Sequence, residues 1–193
     1  MARKAFYFDQ AACVGCRACQ IACKDKMEGA ELQGGVFYRT VTCYETGSFP
    51  KVGRFNMSMS CNHCENPACV AACPLKALYK AEDGTVMHDA SICIGCGTCA
   101  AACPYQVPQV VNGKMSKCDG CAARVAKGEN PACVDACTMR ALDFGEYDEL
   151  VAKYGEGLVS DLSILPDSKL TTPNLLIKAR ECALEGEARE LYL

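Results

Sequence analysis

Apolar and polar positions alternate along this chain only in short runs, and the runs predict small elements. Phe6-Tyr7-Phe8 and Val86-Met87-His88 read as short strands, each a few residues upstream of a cysteine-dense stretch. Tyr79 and Val86 flank Asp83-Gly84, a two-residue hairpin signal. Residues 36–44 and 54–59 read as two strands around a turn at Gly47 and Pro50. Residues 70–72 and 100–102 are helix-compatible turns that run into cysteines. After about residue 145 come a helical stretch near 147–153, a loop around Pro166 and an extended run over 172–177. This tail shows few core-forming periodicities and is expected to dock as a strap on the fold or on a partner. No apolar run approaches the ~18 residues of a membrane span.

Composition says that the interior is not aliphatic. Leu, Ile, Val and Phe together make 38 of 193 residues, whereas Ala contributes 26 and Cys 18. An aliphatic share below about a fifth with high net charge marks disorder; here the formal net charge is only −3, so that reading lacks its second condition. A cysteine content near 8–10% is the mark of small secreted disulfide scaffolds. The opening Met1-Ala2-Arg3-Lys4-Ala5 carries two positive charges but no apolar region and no cleavage site, so a secretory signal is not expected. In a reducing compartment dense cysteine points to metal before disulfide.

The spacing then decides. Sixteen cysteines fall into four groups: Cys13, Cys16, Cys19 and Cys23; Cys61, Cys64, Cys69 and Cys73; Cys93, Cys96, Cys99 and Cys103; Cys118, Cys121, Cys133 and Cys137. The first and third have the C-x2-C-x2-C-x3-C spacing of bacterial ferredoxins, and Pro104 follows the third. The second and fourth keep the same ends with the middle stretched. Three thiolates at successive x2 steps reach three iron corners of one cubane. The x3 step turns the fourth cysteine away, toward the other cluster of a pair. A zinc ion uses two separated C-x2-C pairs and has no need of a third cysteine at the next x2 step.

A repeat underlies the groups. Residues 65–78 recur as 129–142 with ten of 14 positions identical, and Asp9 and Asp89 each stand four residues before a Cys-x-Gly-Cys run. The chain is therefore a duplicated unit, each half holding one compact and one stretched group. Cys43 is expected to be a buried small apolar residue and Cys182 a spare thiol. His63 sits inside the second group as a tuner of a cluster or a hydrogen-bonding residue, because ligation of the Rieske type needs two histidines on one iron. His88 is expected to be structural. Lys76 and Arg140, at equivalent repeat places, are either counter-charges to clusters or solvated cations. No nucleophile–base pair, phosphate loop or basic nucleic-acid patch is present, so neither a substrate site nor a nucleic-acid partner is expected.

The stretches Cys-Val-Gly-Cys-Arg-Ala-Cys-Gln-Ile-Ala-Cys-Lys-Asp (13–25), Ser-Cys-Asn-His-Cys-Glu-Asn-Pro-Ala-Cys (60–69), Cys-Ile-Gly-Cys (93–96), Lys-Cys-Asp-Gly-Cys (117–121), Arg-Ala-Leu-Asp-Phe-Gly (140–145) and Thr-Pro-Asn (172–174) resemble the iron–sulfur subunits of molybdopterin oxidoreductase complexes, those of the dimethyl sulfoxide reductase type above all. Sequence order alone would pair the first group with the second and the third with the fourth; the resemblance implies a nested pairing instead. Cys13, Cys16, Cys19 and Cys137 would hold one [4Fe–4S] cluster, and Cys23, Cys118, Cys121 and Cys133 the next. Cys61, Cys64, Cys69 and Cys103 would hold a third, and Cys73, Cys93, Cys96 and Cys99 a fourth. Some relatives replace a ligand of that last cluster, whereas Cys96 is present here.

The implied fold is α+β, with two ferredoxin-like modules of two clusters each. The outer module covers 1–60 plus 104–145 with a hairpin insertion at 30–60, the inner one 61–103, and a docking tail 146–193. The implied role is non-catalytic electron transfer between a molybdopterin catalytic subunit and a quinol-oxidising membrane anchor. The protein would then be membrane-associated through its partners, on a side left open. The same wire in a formate dehydrogenase or a tetrathionate or thiosulfate reductase, a soluble multi-cluster ferredoxin, and a zinc-binding interaction module are the alternatives. Four ligated cubanes at −2 each would take the formal charge from −3 to about −11, since the ligating thiols are deprotonated.

Overall fold

The computed structural model describes residues 3–27 and 36–191. Along the first half run β1 (Lys4–Asp9), α1 (Ala18–Lys26), β2 (Thr40–Ser48), β3 (Lys51–Met59), α2 (Ala68–Ala71), β4 (Leu78–Lys80), β5 (Val86–His88) and α3 (Thr98–Ala102). The second half has β6 (Gln109–Val111), β7 (Lys114–Ser116), α4 (Ala122–Val125), α5 (Ala132–Asp135), β8 (Leu142–Glu146), α6 (Tyr147–Tyr154), β9 (Leu175–Lys178), α7 (Glu181–Leu184) and β10 (Ala188–Leu191). The fold is thus a mixed α+β arrangement of short elements.

The aromatic run at the start becomes the middle strand of a three-stranded sheet, ordered β8-β1-β9. Phe6 stands opposite Phe144 in antiparallel β8 and Leu175 in parallel β9, and Phe8 opposite Leu142 and Ile177. Alternation along β1 feeds two cores. Phe6 and Phe8 pack with Cys19, Cys133, Leu175 and Ile177. Ala5 and Tyr7 face the other way, against Leu150 and Leu176, where the Tyr7 and Tyr154 rings stack at 3.5 Å.

The tail is part of this interior. Leu175-Leu176-Ile177, expected to lie on the fold as a strap, forms β9 and is buried on both faces, Ile177 completely. A parallel strand covered on both sides is a continuous apolar run with no alternation, so local pattern alone does not reveal it. Further along, β10 pairs with β2.

β2 and β3 form an antiparallel hairpin turning at Phe49-Pro50. Its first strand begins at Thr40, short of the predicted start, because Tyr38 and Arg39 turn into the interior. Residues 30–35 of the expected insertion lie outside the described residues, as do residues 1–2 and 192–193. The Asp83-Gly84 signal forms the β4–β5 hairpin. A second small hairpin, β6–β7, goes beyond the sequence expectation, although Asn112 (φ 50°) and Gly113 (φ 75°) are the residues such a turn demands.

The short helices arrange the cysteines. α1 carries Cys19 and Cys23 and packs on α5, which carries Cys133. α2 carries Cys69 and packs on α3, which carries Cys99. Pro67 and Pro131 cap α2 and α5, fixing the turn at the same repeat position.

Candidate metal centres

Two recesses are each lined by four cysteines. Cys13, Cys16, Cys19 and Cys137 surround one, beneath Phe8, Val41 and Leu142. Cys73, Cys93, Cys96 and Cys99 surround the other, beneath Leu78 and Met115. In each, three cysteines come from one compact group and the fourth from the end of a stretched one.

The remaining eight lie between. Cys23 faces Cys133 and Cys121, and Cys118 faces Cys61, Cys23 and Cys133. Cys69 faces Cys61, Cys103 and Cys64. Burial first, with repulsion from neighbouring cysteines adding to it, pushes the Cys23 and Cys69 thiols up to about 12, against an opposing pull of Arg39 on Cys23. Ligation reverses this by binding the thiolate and releasing its proton. Exposure marks the ends of the series. Cys16 and Cys96 are exposed, and every other cysteine is buried or half-buried.

Backbone amides are aimed at the sulfurs, as cluster ligands require for charge compensation. Ala77 N–H donates to Cys73 Sγ at 3.2 Å, and its repeat partner Ala141 N–H to Cys137 Sγ at 3.2 Å. Gly95 and Met115 amides both reach Cys93 Sγ at 3.4 Å, and Gly120 N–H reaches Cys118 Sγ at 3.4 Å. Left-handed backbone at Lys76 (φ 53°) and Arg140 (φ 52°) turns the chain so that the following alanine amide meets the sulfur. Gly95 (φ +66°) has a second constraint, since a Cβ there would lie 2.2 Å from the Gly113 carbonyl oxygen.

The cysteine sets are wider than a single-ion site: among the described residues no three His, Cys, Asp or Glu side chains close round one ion. A cubane, whose thiolates each bind a different iron, asks for such wider sets. Four thiolates per recess, amide donors on the sulfurs and an apolar lid fit a [4Fe–4S] group.

Of the two readings open for Lys76 and Arg140, the structure shows the second. Lys76 and Arg140 are exposed and solvated. The buried cations are Arg39 (2% exposed), which no sequence motif marks, and Lys117 (6%), the first residue of the Lys-Cys-Asp-Gly-Cys stretch. Lys117 Nζ donates to the Cys118 carbonyl at 2.9 Å and to the Val86 carbonyl. Arg39 donates to Ser58 Oγ at 3.0 Å and Ser60 Oγ at 2.8 Å, and stacks over Phe6. Their one sequence signal is a cation beside apolar or cysteine neighbours, which solvated cations share.

His63 is buried. Its Nδ1 accepts from Val86 N–H at 2.9 Å, which leaves the proton on Nε2, 4.0 Å from Cys118 Sγ. Burial, then the Lys117 ammonium, holds its pKa well below the usual histidine value, so the ring is neutral. Asn174 of the tail donates to the His63 carbonyl at 2.7 Å and, with Thr171 and Thr172, clamps the second cysteine group. His88 is half-buried, its Nε2 without a partner among the described residues. Cys43 is buried in β2 and receives Arg54 Nε at 2.9 Å; Cys182 packs half-buried against β3.

Short helices on small sheets, with cysteine sets at ferredoxin spacing, define a ferredoxin-type iron–sulfur protein. The chain matches the 4Fe-4S dicluster domain over residues 52–147 and the 4Fe-4S binding domain over residues 10–29. It is 42% identical to the B subunit of anaerobic dimethyl sulfoxide reductase from Haemophilus influenzae, with 97% of this chain and 95% of that subunit aligned. It is 43% identical to the subunit of the same name from Escherichia coli (strain K12), over 90% and 87%. The thiosulfate reductase electron transfer subunit of Salmonella typhi is 42% identical over 73% of this chain and 74% of that subunit. The protein belongs to the family of anaerobic dimethyl sulfoxide reductase B subunits. It binds 4Fe-4S clusters, and its role is electron transfer within an oxidoreductase. Among the described residues no helix is long and apolar enough to cross a membrane.

Proposed function

We propose that this protein is the electron-transfer subunit of a dimethyl sulfoxide reductase-like complex, with a molybdopterin catalytic subunit at one end and a membrane anchor at the other. When bound, four [4Fe–4S] clusters supply the one-electron steps. The ligand sets are Cys13, Cys16, Cys19 and Cys137; Cys23, Cys118, Cys121 and Cys133; Cys61, Cys64, Cys69 and Cys103; and Cys73, Cys93, Cys96 and Cys99. The first two sets form the outer ferredoxin-like module and the last two the inner one.

The observation that carries this reading is the continuity of the sets. Cys19 faces Cys133, Cys118 faces Cys61, and Cys69 shares one core with Cys73, Cys93 and Cys99, so no set stands apart. Only the two end sets carry a fully exposed cysteine, Cys16 at one and Cys96 at the other. Around them stand exposed apolar residues: Val14, Ile21 and Met139 at one end, Leu75, Ile92 and Ile94 at the other. Exposed apolar residues clustered beside a site are the usual mark of a docking face. The protein's own work is to hold the sulfurs, to donate amide hydrogen bonds to them, and to keep water from the middle sets with Phe6 and Tyr38.

Expression with the neighbouring genes, purification by a tag on this subunit and redox-titrated EPR test the reading. The expected result is a complex with a molybdopterin subunit, in which added quinol reduces the subunit's centres and sulfoxide reoxidises them. A protein that purifies alone and exchanges electrons freely with unrelated soluble enzymes would be a soluble ferredoxin instead. The complex is expected to be held at a membrane by the anchor, and the side is read from whether an externally added impermeant reagent labels this subunit in intact cells.

A further inference from the structure

Arg39 is a buried cation without an anionic side chain to pair with. Its residue is 2% exposed, and among the described residues no carboxylate forms an ion pair with it. Its hydrogen-bond acceptors are all neutral: the Ser58 carbonyl and hydroxyl and the Ser60 hydroxyl. Among the described residues its Nε has no acceptor. An isolated charge out of water is among the most unfavourable features a fold can contain, and it persists only where a counter-charge meets it.

What surrounds the guanidinium supplies that counter-charge. Around it stand Cys133, Cys19, Cys118 and Cys23, on α5, α1 and the loop before α4. Three of these four belong to one proposed ligand set. The fourth, Cys19, belongs to its neighbour, and the Ser58 hydroxyl that Arg39 holds lies 3.6 Å from Cys19 Sγ. The Phe6 ring closes the opposite side at 4.7 Å. A guanidinium remains charged at any working pH, so its influence is fixed.

We propose that Arg39 is the buried counter-charge of the centre held by Cys23, Cys118, Cys121 and Cys133, and that it raises that centre's reduction potential. The inference rests on the ligand sets proposed above. Adding an electron makes the centre more negative, and a fixed cation in a dry interior favours the more negative state. Arg39 is thus a positioning residue that acts on the redox step without touching substrate.

The alternative is that Arg39 merely ties β3 to the segment before β2 through Ser58 and Ser60. Charge and shape separate in two variants of the full chain. Arg39→Lys keeps the charge and loses the fork, whereas Arg39→Gln keeps a polar group and loses the charge. Redox-titrated EPR reads each centre, and the one in question is the signal abolished by Cys121→Ser. The expected result is that Arg39→Gln lowers its midpoint by at least a tenfold change in the reduction equilibrium, about 59 mV for one electron, while Arg39→Lys leaves it near the parent. If Arg39→Gln loses that centre while Arg39→Lys retains it, the need for charge is supported too. Equal loss in both, or an unmoved potential in a fully loaded Arg39→Gln, overturns the inference and leaves the ligand sets standing. A parent protein without iron overturns both.

Discussion

Val14 and Ile94 stand at matching places in the repeat, each between the first two cysteines of a compact group, and are 59% and 66% exposed. A duplication that had kept only a packing role there would have buried or replaced them. The proposed assembly uses the two places for different partners. Val14→Asp is expected to weaken association with the catalytic subunit by about tenfold or more, and Ile94→Asp to weaken association with the anchor similarly. Pull-down of each partner, with iron content unchanged, checks this; loss of the same partner in both variants would contradict the assignment of ends.

Cys96→Ser removes a proposed ligand from one exposed set. The nested sets predict that a single EPR signal changes or disappears and that at most about a quarter of the iron is lost, with the other centres unaltered. Iron analysis with EPR reads the result directly. Two signals lost together would argue for a different pairing.

Gly95 and Gly113 both have positive φ, but their surroundings differ. A Cβ at Gly95 would meet the Gly113 carbonyl oxygen at 2.2 Å, whereas one at Gly113 meets nothing within 4 Å. Gly113→Ala is expected to cost about 1 kcal/mol, the conformational penalty alone. Gly95→Ala must in addition displace backbone beside Cys93 and Cys96, and is expected to lose the centre in that recess. Visible absorbance per mole of protein distinguishes the two.

Ile177 has no exposed surface and lies against Phe8 across the parallel ladder. Ile177→Ala is expected to destabilise by about 2–5 kcal/mol. The urea midpoint of cluster bleaching, compared with the parent, measures it, and an unchanged midpoint would contradict the account of the tail as core.

How much of this is legible in the sequence depends on the range of each interaction. The four cysteine groups are legible because the proposed ligation imposes local spacing, and the Asp83-Gly84 hairpin because a tight turn is local as well. The place of Leu175-Leu176-Ile177 beside β1 is not, since parallel pairing across most of the chain leaves no local pattern. Lys76 and Arg140 stand out by lying next to cysteines, but left-handed backbone there presents the amide of the next residue to sulfur and leaves the cation in solvent. Arg39, distant in sequence from Cys133 and Cys118, is brought to them only by the packing of α1 on α5 and the turn that starts β2. Asn112-Gly113 carries a local hairpin signal of its own; the strands it joins are only three residues each, too short for alternation to stand out.

The count of metal tests the central claim most directly. Iron and acid-labile sulfide determined on the full-length protein, purified without air, should each come to about sixteen per molecule, four cubanes. About eight of each, or a colourless protein holding zinc, would contradict it.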